Sequence, residues 1–195
     1  MKIAMFGHKR IPSREGGVEI VVEELASRMV KTGNEVTCFN RNGKGCVSQK
    51  YGKRYNFNGI EVKTVPTIDK KGMAAVTAAF FSSVMAAFGK YDIVHIHAEG
   101  PAFFCWIPKV VGKKVVVTIH GLDWSREKWK NGLGSWFIRQ GERNAVKYAD
   151  DIIVLSERVQ NYFYKTYGKT TYFIPNGVNK PNVQTTKMIT KKFGI

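Results

Sequence analysis

Acidic residues are scarce in this chain. Asp and Glu number 15 against 31 Lys and Arg, a net charge of +16 over 195 residues. Such an excess sets no fold, but it selects anionic partners: nucleic acid, an anionic membrane surface or a phosphorylated ligand. Cysteine is almost absent. Cys38, Cys46 and Cys105 are odd in number and far apart, and without a C-x-x-C pair they support neither a zinc knuckle nor a redox couple. A reducing cytosol is the simplest setting. No secretory leader is visible, because the apolar start Ile3–Phe6 is too short and lacks a cleavage region. Long hydrophobic runs are missing, with one borderline case. From Gly72 to Gly89 no charged residue occurs, which touches the lower limit of a membrane span. Its bulk falls on one stripe, Val76, Phe80, Val84 and Phe88, widened by Phe81 and Met85. Ala75, Ala79, Ser82, Ser83 and Ala86 fill much of the rest. One-sided bulk predicts a helix packed on a sheet rather than a span.

What is present alternates. Ile3–Phe6 reads as a buried strand. Val18, Val21, Val22, Leu25 and Met29 then recur at helical spacing, and Gly33 supplies a left-handed stop. Val36–Phe39 follows as a strand. Tyr55–Phe57 and Ile60–Val65 flank Asn58-Gly59, a hairpin signal. Ile93–Ile96 is the next strand, and Pro101 suits the first turn of a short helix. Val115–Ile119 is β-branched throughout, as in a strand covered on both faces. Ser135–Tyr148 reads as helix and Ile152–Leu155 as strand. Ser156 caps a helix that Gly168 ends, and Tyr172–Ile174 is the last strand. The pattern predicts an α/β fold, a Rossmann-like parallel sheet with helices on both faces. Residues 1–178 form that domain. Residues 179–195 read as a linker and the start of a further domain: 179–186 are polar and contain Pro181, and Met188–Phe193 suits the start of a new helix.

In an open parallel sheet, ligands bind beyond the carboxyl ends of the strands. The first loop there runs from Gly7 to Gly17. Gly16-Gly17 lies just before the first helix, where free N–H groups and the helix dipole favour a phosphate; the plainer reading is a flexible entry to the helix. The loop is not a G-x-G-x-x-G fingerprint. The second strand ends in Asn40-Arg41, where Arg41 suits a 2′-phosphate, so an NADP-dependent oxidoreductase stays open. His95 and His97 alternate on one strand. With His120 they suggest a metal, but no further ligands cluster nearby and no metal is expected. Glu99 is either an acceptor of substrate hydroxyls or a solvated loop acid. His120-Gly121-Leu122-Asp123-Trp124 follows a strand predicted near the middle of the sheet. There His120 faces the crevice and can act on a hydroxyl or sugar. Trp124 offers an apolar face, and Arg126 adds charge. A basic nucleic-acid-binding domain is an alternative that the charge alone supports, without a recognition helix or RNP-like strand.

Taken together, these stretches resemble glycosyltransferase family four. Met1–Gly7 with Glu15-Gly16-Gly17-Val18-Glu19 is similar to the family's first strand and glycine loop. Tyr91–His97 is similar to the strand before its acceptor loop, and Val117-Thr118-Ile119-His120-Gly121 to its histidine loop. Tyr148–Glu157 and Ile174-Pro175-Asn176-Gly177-Val178 resemble the run into the interdomain hinge. The resemblance implies the amino-terminal half of a GT-B fold, in which two Rossmann-like domains face each other across a cleft. It implies a retaining transferase that moves a sugar from a nucleotide-sugar donor to a glycan or lipid-linked acceptor, with no metal or other cofactor. Gly16 and Gly17 would meet the donor phosphates and His120 the reacting centre. Glu99, Asp123, Trp124 and Arg126 would serve the acceptor, and Asn176 and Gly177 the hinge. The resemblance also implies a missing carboxyl-terminal donor domain, no nucleic-acid partner, and a cytoplasmic protein peripheral at the inner membrane face. The acid-free stretch Arg41–Tyr55 and the loop Arg126–Lys130 are the expected contacts to an anionic surface.

Overall fold

A computed structural model describes residues 1–43, 52–70, 72–122 and 132–178. Eight strands form one sheet in the order β3-β4-β2-β1-β5-β6-β7-β8. They are β1 (Lys2–Phe6), β2 (Glu35–Arg41), β3 (Arg54–Phe57), β4 (Ile60–Val65), β5 (Ile93–His97), β6 (Lys114–Ile119), β7 (Asp151–Val154) and β8 (Tyr172–Phe173). All pairings are parallel except the β3–β4 hairpin at one edge. That hairpin turns through Asn58 and Gly59, both with positive φ (51° and 83°), as the two-residue turn of a twisted hairpin requires.

The helices are α1 (Gly17–Lys31), α2 (Met73–Phe88), α3 (Glu99–Ala102), α4 (Trp106–Val110), α5 (Leu133–Tyr148) and α6 (Glu157–Tyr167). Helices cover both faces, unequally. Ile3 and Met5 of β1 join Val22 and Ala26 of α1 in one core, whereas Ala4 and Phe6 join Ala78, Ala102, Ala145 and Phe163 in the other. So α1 lies on one face, and α2, α3, α5 and α6 lie on the opposite one. Ser156 Oγ accepts from Val159 N at 3.4 Å to cap α6, and Gly168 closes it in the left-handed region, as its sequence requires.

Helix α2 corrects an expectation. It does pack on the sheet, but by its small side chains. Ala78, Ala79, Ser82, Ser83, Ala86 and Ala87 are buried, while Phe80, Met85 and Phe88 face outward. Alanine and serine let the helix axis come close to the sheet, so the close-packed face selects small volume rather than bulk. Phe81 alone of the large residues in its middle packs against the core. Among the described residues, no helix is long and apolar enough to cross a membrane.

The chain leaves β1 for β2 on one side and returns to β5 on the other. The strand order therefore reverses between β1 and β5, and the crevice beyond their carboxyl ends is where such a sheet receives a ligand.

Candidate functional site

Two strand ends meet in that crevice. Gly7 follows β1 with φ 115°, and a Cβ there would lie 2.0 Å from the His97 carbonyl oxygen at the end of β5. Only glycine allows this approach.

The loop after Gly7 is built rather than loose. Glu19 Oε1 accepts from Lys9 N at 2.9 Å, and Glu23 Oε2 from Ser13 N at 3.4 Å. Asn40, on β2, accepts from Ile11 N through Oδ1 and donates to Ile11 O through Nδ2, both at 3.0 Å. The Tyr55 hydroxyl also donates to Ile11 O. Two buried carboxylates, a buried amide and a phenol thus hold the path into α1, which overturns the reading of a flexible entry. Gly16 is the extended N-cap residue of α1, with no side-chain cap of its own. A Cβ on Gly17 would meet nothing within 4 Å. At Gly16, by contrast, a Cβ would lie 2.1 Å from Glu19 Oε2, so the start of α1 is open at Gly17 and bordered by a carboxylate at Gly16.

The histidines line up beside it. His97 Nδ1 and His120 Nε2 share a hydrogen bond of 3.1 Å, and His95 Nε2 and Thr118 Oγ1 one of 2.8 Å. Ring centroids are 4.3 Å apart from His95 to His97 and 5.4 Å from His97 to His120. This is a row rather than a triangle about a point, and among the described residues no group of three or more His, Cys, Asp or Glu could hold a metal ion. His8 Nε2 lies 3.0 Å from Asn40 Oδ1. Because Ile11 fixes the Asn40 amide, His8 carries its proton on Nε2 and donates it.

All four imidazoles are held neutral. Burial pushes His8, His95 and His120 down to about 4 and His97 well below its ordinary value. Burial is the largest cause throughout; the carboxylate of Glu19 opposes it at His8 and His120. At neutral pH His120 is therefore a hydrogen-bonding imidazole, not a cation.

The remaining expected residues are placed as follows. Glu99 begins α3 and is wholly buried, so it is not a solvated loop acid. Asn176 and Gly177 are exposed and line a cavity of about 810 Å³ with His95, His97 and Thr118. Asp123, Trp124 and Arg126 lie outside the described residues, as do the loop to Lys130, residues 44–51 of the basic stretch Arg41–Tyr55, and the linker 179–195. Arg41 is described and lines a second cleft with Gly7. Sequence reasoning did not single out the two glutamates that hold the loop, nor the link from His97 to His120. Glu19 and Glu23 lie one helical turn apart on the buried side of α1, which was the available signal.

Comparison with known proteins places this architecture. The model of Glycosyltransferase Family 4 matches residues 15–180. A search of curated proteins gives no significant match. Sucrose-phosphate synthase from Thermosynechococcus elongatus superposes with a TM-score of 0.72 at 16% identity, over 91% of this chain and 48% of that one. UGT89C1 of Arabidopsis thaliana, complexed with UDP, superposes with a TM-score of 0.57 at 9% identity, over 93% of this chain and 50% of its own. The chain thus spans about half the length of these solved structures, and its fold is that of one Rossmann-like half of a GT-B protein. By its sequence the chain belongs to glycosyltransferase family 4.

Proposed function

We propose that this domain forms the acceptor side of a retaining glycosyltransferase, which moves a sugar from a nucleotide-sugar donor to a glycan or lipid-linked acceptor. A second Rossmann-like domain would supply the rest of the donor site. One observation carries the reading. At the switch point of the sheet, the first turn of α1, open at Gly17 and bordered at Gly16 by the Glu19 carboxylate, stands in the same crevice as a neutral histidine seated on a buried one.

Each part has a role. The N–H groups at Gly16 and Gly17 donate to a phosphate of the sugar nucleotide at close range and oppose its charge with the helix dipole. His120, neutral, exchanges a hydrogen bond with a sugar or acceptor hydroxyl, and His97 fixes its ring. Charge on the departing diphosphate is then met by oriented N–H groups and by the partner domain, with no metal required. Asn176 and Gly177 lead toward that domain as a hinge. Asp123, Trp124 and Arg126 stay candidates for the acceptor side, as does Glu99, buried at the start of α3. The protein acts in the cytoplasm, peripherally at the membrane.

The test is His120→Ala in the two-domain enzyme. Loss of a positioned hydrogen-bonding group lowers turnover by roughly 10²-fold or more, while the melting temperature stays within a few degrees. Wild-type turnover in the folded variant removes His120 from the reacting centre.

A further inference from the structure

The second strand ends in a buried polar residue that the reacting centre does not explain. On the face of β2 toward α1, Val36 and Cys38 belong to the apolar core. The next residue of that series, nearest the crevice, is Asn40, which is 2% exposed. Burying an amide costs free energy unless its polar sites find partners. Here all four do. Oδ1 accepts from Ile11 N and from His8 Nε2, and Nδ2 donates to Ile11 O and to the Tyr55 hydroxyl, each at 3.0 Å. The side chain's hydrogen-bonding capacity is thereby used up.

The partners come from two directions. His8 and Ile11 lie on the loop between β1 and α1, whereas Tyr55 belongs to β3, two places away at the edge of the sheet. The Tyr55 hydroxyl donates in turn to Ile11 O, so amide, phenol and carbonyl close a ring of three hydrogen bonds. One residue further on, the Arg41 N–H donates to Lys9 O at 2.8 Å. The loop is thus laid along the end of β2 and fastened there. This attachment differs from that of the two glutamates. Glu19 and Glu23 bind the loop to α1; Asn40 binds it to the sheet, the frame that also carries His97 and leads into His120.

We infer that Asn40 and Tyr55 are positioning residues for the donor: they act through the loop, fixing against the sheet the path that presents Gly16 and Gly17 to the phosphate. This rests on the transferase reading above. A fully bonded buried network holds one conformation. With the network cut, the loop occupies its binding conformation only part of the time. Apparent affinity falls by that fraction, and the complex once formed is unchanged. The signature is a raised KM for the donor at nearly constant kcat. The edge hairpin gains a role by the same route, because its Tyr55 reaches the donor loop directly.

The experiment compares the two-domain enzyme with its variants Tyr55→Phe and Asn40→Ala. The control is Thr37→Val, which removes a β2 hydrogen bond to Glu61 (2.9 Å) away from the loop. Melting temperature and hydrogen exchange of the peptide covering residues 7–17 are measured first. Then kcat and KM are measured with whichever nucleotide sugar the wild type turns over fastest in a panel of UDP-, GDP- and dTDP-sugars. Tyr55→Phe speeds exchange in the peptide and raises KM about fivefold, the effect of roughly one lost hydrogen bond. Asn40→Ala raises KM about tenfold or more, and kcat stays within about threefold in both. Thr37→Val leaves KM and loop exchange at wild-type values. Where Asn40→Ala does not fold, Tyr55→Phe decides. Wild-type exchange and KM in folded Tyr55→Phe overturn the inference, as do a fall in kcat at constant KM and an equal rise in KM in Thr37→Val. Gly17→Val distinguishes this failure from failure of the transferase reading. Impaired donor use in Gly17→Val beside wild-type KM in Tyr55→Phe removes the positioning role alone, whereas wild-type donor kinetics in both remove the donor site itself.

Discussion

Four histidines in one small crevice would ordinarily bring positive charge as the pH falls. Here burial holds every one of them neutral, at about 4 for His8, His95 and His120 and well below the ordinary value for His97. The sign follows. Above the unfolded value near 6.5 both states are neutral and the histidines contribute nothing to the pH dependence. As the pH falls below about 6.5 the unfolded chain takes up protons that the folded chain refuses, so stability is lost until the folded values near 4 are passed. Each histidine contributes up to about 1.4 kcal/mol per pH unit in that window. Thermal melts should fall steeply between about pH 6.5 and 4, and imidazole resonances of the folded chain should stay flat above about pH 5.5. A flat melting temperature, or histidines titrating near 6.5, would show the row to be solvated. His120 was legible as a crevice residue from the strand before it. Its support was not: alternation placed His95 and His97 on one face, but only the register of β5 against β6 brings His97 onto His120.

At the scale of the element, α2 shows where periodicity stops informing. A stripe of Val76, Phe80, Val84 and Phe88 specifies a helix and its amphipathic division, and the helix is there. Which half faces inward is a question of available depth. The sheet beneath presents Ala4, Phe6 and Phe39 in the same core, and the aromatic rings take up the space that bulky helical residues would need. The small half therefore goes in and the large half is left to solvent or a partner. The prediction is asymmetric. Ala79→Leu, on the buried face, should destabilise by about 1–3 kcal/mol through overpacking, whereas Phe80→Ala, on the outer face, should change stability by less than about 1 kcal/mol. Denaturant unfolding of the two variants checks this, and the reverse ranking would restore the bulky stripe to the core. The strands were easier to read. Their undiluted β-branched and aromatic runs stood out because a parallel sheet buries both faces, and the Asn58-Gly59 hairpin was explicit in its turn residues. The glycine loop fell between: its glycines were visible, while the carboxylates that order it belong to the next helix.

For the molecule as a whole, the proposed function divides the labour between two parts of one crevice. A mostly parallel sheet sets the start of α1 in the same crevice as a neutral histidine at its switch point, and the proposed function gives the first the donor phosphate and the second the reacting centre. The Gly16–Gly17 step is the point where this division is most exposed to test, because Gly17 has no steric reason within the domain to lack a side chain. A Cβ there meets nothing within 4 Å, and its absence in a helix first turn costs backbone freedom without local return. If a donor phosphate occupies that space, the return is functional. The decisive measurement is therefore the kinetics of nucleotide-sugar use by Gly17→Val in the two-domain enzyme, alongside its melting temperature. The account predicts an unchanged fold with kcat/KM for the donor reduced by about tenfold or more, equivalent to about 1.4 kcal/mol of lost transition-state binding. Wild-type donor kinetics in the folded variant would contradict the phosphate-binding role on which the proposed function stands.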